Sequence, residues 1–191
     1  MAFLNGIEYL RGTELLVKLF HFVQNIPYRI APFDSGSYAC EESVTIFMKQ
    51  GDSRHKSLLL HNLLQEKNFE VEMAKVVFDW KDLPIPAEIF GILEKSGTVW
   101  SHDVLKLNVN PYYPVYIDTS WNFELGEVGF PVMKVWDGKE STKKVTEGKV
   151  EYFDADGFEN EDHDIFLDDD EVAEFSEALN MWLDEVAPIR S

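Results

Sequence analysis

Apolar positions early in the chain recur at spacings of three and four. Leu16, Leu19, Val23 and Ile26 share one side of a helical wheel, which predicts a helix over residues 8–26 that Pro27 ends. A second helix is predicted to open at Asp52, a good N-cap after Gly51 whose side chain can accept a first-turn N–H. Leu59, Leu60, Leu63 and Leu64 give that helix a wide face to bury, and Lys67-Asn68 suits its C-terminal end. The period then changes from helical to alternating. Phe69, Val71 and Met73 against Glu70 and Glu72 predict a strand exposed on one side. It continues through Val76 and Phe78 with a phase change near Ala74, which reads as a bulge. The LPIP segment at 83–86 reads as loop, as do APFDSGSY in the 28–48 segment and the Gly- and Lys-rich residues 125–149. Residues 99–108 and 113–120 predict two more strands around an Asn110-Pro111 turn signal. Val172, Phe175, Leu179, Trp182 and Val186 predict an amphipathic terminal helix, with Asp168, Asp169, Asp170 and Glu171 at its positive end.

Composition narrows the class. The chain has 191 residues, 45% of them apolar and 14% aromatic, enough for one folded domain with a real core. Of the formal charge of −18, residues 151–191 carry 15 acids against the single base Arg190. The expected organisation is therefore a domain over 1–150 and an acidic C-terminal extension over 151–191 whose helix packs on the same domain. Such a surface disfavours nucleic acid, and its acidic end suits a basic partner or simply a solvated face. No apolar run approaches the roughly 20 residues that span a bilayer, so no membrane association is expected. The N-terminal residues lack the basic start and apolar stretch of a signal peptide. Cys40 is the single cysteine, so no internal disulfide can form, and a cytoplasmic home is the default. Cys40 has no helix start or base beside it in sequence and reads as structural.

The chemistry rests on three polar residues. If the strands at 99–108 and 113–120 form a hairpin centred on Asn110, paired residue numbers add to 220 and His102 faces Asp118. Their Cβ atoms would then stand about 5 Å apart on one face, close enough for a carboxylate to hold an imidazole nitrogen and fix its tautomer. A one-residue slip would turn Asp118 to the other face. Ser53 would sit in the first turn of the second helix, where aligned N–H groups and a positive partial charge favour a thiolate and can hold an oxyanion. Taken singly, Ser53 is an ordinary first-turn residue, His102 a hydrogen-bonded structural histidine, and Asp118 a strand-end turn residue. His55 and His61 form no i, i+4 metal pair. Asp154, Asp156, Gly157 and Glu159 hint at a calcium loop but fail its full pattern, leaving a solvated acidic loop.

These stretches, in this order, also resemble a known family. GDSRHKSLLLHNLLQEKNFEV is similar to the core motif of the transglutaminase-like superfamily, in which Gly-Asp-Cys precedes a lysine and a leucine-rich helix. SHDVLKLNV resembles its histidine strand, VYIDTSW its aspartate strand, and FVQNIPYRI the segment that often precedes the core. GFPVMKVWDGK at 129–139 is similar to an extension in some microbial members. The resemblance implies an α+β, papain-like fold: a nucleophile helix packed on an antiparallel sheet, followed here by a C-terminal acidic helix. It implies acyl transfer on peptide or side-chain amides, by a transferase, peptidase or amidase. Ser53 takes the nucleophile position, His102 that of the general base and Asp118 that of the residue orienting it. Tyr28 and Trp121 are secondary substrate-binding candidates, with Tyr28 or Gln50 a further oxyanion donor. No metal or cofactor is called for. The departure from the family pattern is Ser53 itself, introduced or native, which points to an inactive or very weak enzyme. The alternatives are a serine hydrolase and a non-catalytic peptide- or protein-binding module.

Overall fold

The computed structural model describes residues 9–30, 45–46, 49–108, 113–160, 163 and 165–189. Cys40, residues 31–38 and the Asn110-Pro111 signal lie outside them. The fold is α+β. A four-stranded, wholly antiparallel sheet in the order β3-β2-β1-β4 is built from β1 (Val71–Asp79), β2 (Val99–Leu107), β3 (Val115–Ile117) and β4 (Glu151–Asp154). Among the described residues it is accompanied by the helices α1 (Gly12–Gln24), α2 (Ser53–Glu66), α3 (Ala87–Phe90), α4 (Ala155–Asn160) and α5 (Asp169–Val186). Among the described residues, no helix is long and apolar enough to cross a membrane.

Both faces of the sheet are covered. On one, Val71, Leu105, Leu107, Val115 and Ile117 pack against Leu15, Leu16, Leu19 and Phe20 of α1 and Leu59, Leu60 and Leu64 of α2. On the other, Ala74, Val76, Phe78, Trp100 and Val104 pack against Val172, Phe175, Leu179 and Leu183 of α5, with Trp80 and Trp121 between. This double coverage explains the phase change in β1 without the expected bulge. The β1–β2 ladder runs unbroken from Val71 opposite Leu107 to Asp79 opposite Val99. Coverage passes from the α1/α2 face at Val71 and Met73 to the α5 face at Ala74, Val76 and Phe78, so the strand is not exposed on one side.

Three further expectations are corrected. The acidic stretch after residue 150 is not a loop: β4 pairs with Ala74–Val77 of β1, and Asp156, Gly157 and Glu159 belong to α4. Asp154, the hinted calcium ligand, instead meets Lys106 Nζ at 2.6 Å. The buried stripe of α5 ends on Leu183, while Trp182 is half-buried and Val186 is 37% exposed. A step of four from Leu179 overshoots one turn by about 40°, whereas a step of three falls short by about 60°, so Leu183 lies nearer the middle of the stripe. Finally, β3 covers only three residues of the expected eight, and its pairs add to 222 (Leu105 with Ile117, Leu107 with Val115), not 220.

Local chemistry sets the helix that matters most. The Asp52 side chain caps α2 by accepting Arg54 N–H at 3.0 Å. Gly51 is required there, because a Cβ would stand 2.7 Å from His55 Cβ. At the far end Asn68 adopts φ 61°, the left-handed conformation that asparagine tolerates. The strip Tyr28–Ile30 bridges to Gly51 and is tied to α5 through buried Arg29, which reaches Asp184 and the Ala187 carbonyl, and through Asn180.

Candidate active site

The capped end of α2 lies against β2 just past the point where β3 stops. Asp103 has no partner in the β2–β3 ladder. Its N–H instead donates to Ser53 Oγ at 3.4 Å, and its carbonyl accepts from Ser57 Oγ at 2.9 Å. The two hydroxyls, one helical turn apart, seat the helix on the strand. Ser53 is the less satisfied of the two, since 3.4 Å is long for such a bond.

His102 is the next residue along β2, on the α5 face beside Phe78 and Trp121. Its Nε2 stands 2.6 Å from Ser120 Oγ and 3.5 Å from Asp118 Oδ1. The register explains this order. A shift of two residues keeps Asp118 on the face of His102 but puts position 120, not 118, opposite the histidine. Asp118 Oδ1 also accepts the Ser120 N–H at 2.8 Å. Burial would raise the Asp118 carboxyl, but the His102 imidazole and the Ser120 hydrogen bonds outweigh it and hold it below its ordinary value. Among the described residues no hydrogen bond joins Ser53 to His102. Both line one cavity of about 160 Å³, together with Tyr28, Phe78, Trp80 and Trp100.

The chain matches no protein-family model, no curated protein and no solved structure.

The secondary candidates separate. Tyr28 lines the cavity; burial first, then the nearby Asp52 carboxylate, pushes its hydroxyl well above the usual tyrosine range. Trp121 is not among the residues lining the cavity; it is buried behind Tyr28, its ring edge-on to that ring at 4.6 Å and its Nε1 donating to the Val145 carbonyl at 2.7 Å. Gln50 is not among the residues lining the cavity. His55 is used by the cap, with Nδ1 2.8 Å from Asp52 Oδ1, and His61 meets Asn62. Burial works to raise the Asp52 carboxyl, and His55 and Arg54 together drive it far below its usual range.

Sequence reasoning passed over two residues. Ser120 stands in the sequence only as the last residue of the expected 113–120 strand. Lys56, fully buried one turn after Ser53, donates to the carbonyls of Gln24 at 3.1 Å, Ile26 at 2.7 Å and Ser120 at 2.8 Å. Burial pushes its ammonium down to about 7, opposed by Asp118 and Glu124. The three carbonyls match the three N–H donors of the charged form. A signal existed for Lys56: it precedes Leu59 and Leu60 by three and four positions and so shares their buried face.

Proposed function

We propose that this chain is a transglutaminase-like protein on a papain-like core, whose parent chemistry is nucleophilic acyl transfer on a peptide or side-chain amide. The observation that supports the reading is the shared cavity. It is lined by Ser53 of the first turn of α2 and by His102, whose Nε2 is bonded to a hydroxyl with a carboxylate 3.5 Å away. With a thiol at position 53, His102 Nδ1 would take its proton and the thiolate would add to the amide carbon. Collapse would break the C–N bond, with the imidazolium protonating the departing amine. Water or a second amine would then release the acyl group from the thioester. The positive end of α2 offers N–H groups to the intermediate oxyanion, with Tyr28 beside them.

With Ser53 the reaction is silent or very weak, because a hydroxyl is far less acidic than a thiol and forms no stable ion pair with imidazole. That same residue favours the rival reading, a non-catalytic peptide- or protein-binding module using the cavity as its groove. The two part on one measurement: iodoacetamide labelling of Ser53→Cys as a function of pH, in a Cys40→Ser background. Acyl-transfer ancestry predicts a thiol reactive below pH 7, about two units under the ordinary 8.5 and so roughly a hundredfold richer in thiolate at pH 6. A profile centred near 8.5 would leave the binding module standing.

A further inference from the structure

We propose that Ser120 is a positioning residue for His102: its hydroxyl accepts the Nε2–H and relays the pull of Asp118, leaving Nδ1 unprotonated toward the cavity. The inference rests on the acyl-transfer reading for its purpose but not for its geometry. Distance makes the first argument. At 2.6 Å the hydroxyl is within strong hydrogen-bond range of Nε2, whereas the carboxylate at 3.5 Å is beyond the usual N–H···O limit. Asp118 therefore acts on the ring chiefly by charge, and the direct bond belongs to Ser120.

Polarity makes the second argument. A serine hydroxyl can donate to Nε2 or accept from it. Donation would point the Nε2 lone pair at Asp118, an ionised carboxylate 3.5 Å away. Acceptance places the N–H dipole toward that charge and frees the hydroxyl hydrogen to turn toward the carboxylate, which the Ser120 side chain helps to hold below its ordinary value. The tautomer with hydrogen on Nε2 is therefore favoured. Anchoring makes the third. The Ser120 N–H is held by Asp118 at 2.8 Å and its carbonyl by Lys56 at 2.8 Å, so the backbone beneath the hydroxyl is pinned on both sides. Ser120 is also 1% exposed, so water does not compete for the bond. Lys56 thus couples the helix bearing position 53 to the residue that orients the histidine.

The test begins with the chain as it is. Nitrogen-15 NMR of the imidazoles, with His102 assigned by the loss of its signals in His102→Gln, reports the tautomer directly above the titration range. The expected result is a single Nε2–H form, a mixture of both tautomers in Ser120→Ala, and recovery in Ser120→Thr, which keeps the hydroxyl. In the Ser53→Cys background, Ser120→Ala should slow alkylation at pH 7 by about tenfold or more and Ser120→Thr should restore it. Hydrogen on Nδ1 in the unsubstituted protein overturns the proposal, and that measurement needs no variant at Ser120. So does an unchanged tautomer in Ser120→Ala alongside a changed one in Asp118→Asn, which would make the carboxylate the direct partner. If the tautomer behaves as expected while the position 53 thiol titrates ordinarily, the acyl-transfer reading falls and the role of Ser120 stands.

Discussion

The two halves of α2 both reach the interior and differ in almost everything else. Residues 53–57 place Ser53, His55, Lys56 and Ser57 in the interior, while the following turns bury Leu59, Leu60 and Leu64. The leucines stabilise by leaving water, each by about 1.5–3 kcal/mol when fully buried. The polar residues gain little net energy, because each exchanges water for a protein partner. What they gain is position. His55 is fixed by Asp52, Lys56 by three carbonyls and Ser57 by the Asp103 carbonyl. Ser53, with one long bond to the Asp103 N–H, is the member least committed to structure. The helix thus carries an apolar scaffold at one end and a buried polar cluster at the other.

Three substitutions probe that contrast, in descending order of effect. Leu60→Ala should cost about 4 kcal/mol in denaturant unfolding, by the same amount at pH 7 and pH 9.5, since a cavity does not titrate. A pH-dependent loss there would blur the distinction between the halves. Lys56→Met should cost about 3 kcal/mol at pH 7 by orphaning buried carbonyls, and its cost should depend on pH. The folded-state value is depressed, so below about 7 the lysine is charged in both folded and unfolded chains and its desolvation penalty is constant. Between about 7 and the ordinary 10.5 the folded chain sheds the proton while the unfolded chain keeps it, so stability rises with pH. The native protein should therefore gain on Lys56→Met between pH 7 and pH 9.5; equal slopes would show an ammonium that keeps its charge throughout. Ser57→Ala should be mildest, about 1 kcal/mol, read as a small shift in the urea midpoint with the slope unchanged.

Much of this was legible in the sequence where the cause is local. Asp52 caps α2 because the cap depends only on the next few residues, and Asn68 ends the helix for the same reason. His102 and Asp118 share a face because parity survives a two-residue shift in pairing. The identity of the nearer partner does not survive it, so Ser120 went unseen. Lys56 was obscured differently: its acceptors come from residues 24, 26 and 120, which only the folded chain brings together. The strand β4 was hidden by its charge. Along an edge, Glu151 and Asp154 can stand toward solvent while Tyr152 and Phe153 are half-buried between them, so acidity alone did not mean loop.

That edge strand gives the acidic end of the chain a second significance. A chain ending at residue 150 would present the Ala74–Val77 rim of β1 as an open hydrogen-bonding template and strip the aromatic face of Phe175, Leu179 and Leu183. Self-association through the bared rim would follow. The most acidic part of the sequence thus doubles as the cover of a sheet rim, moving the open edge from β1 to a short strand that carries Glu151 and Asp154.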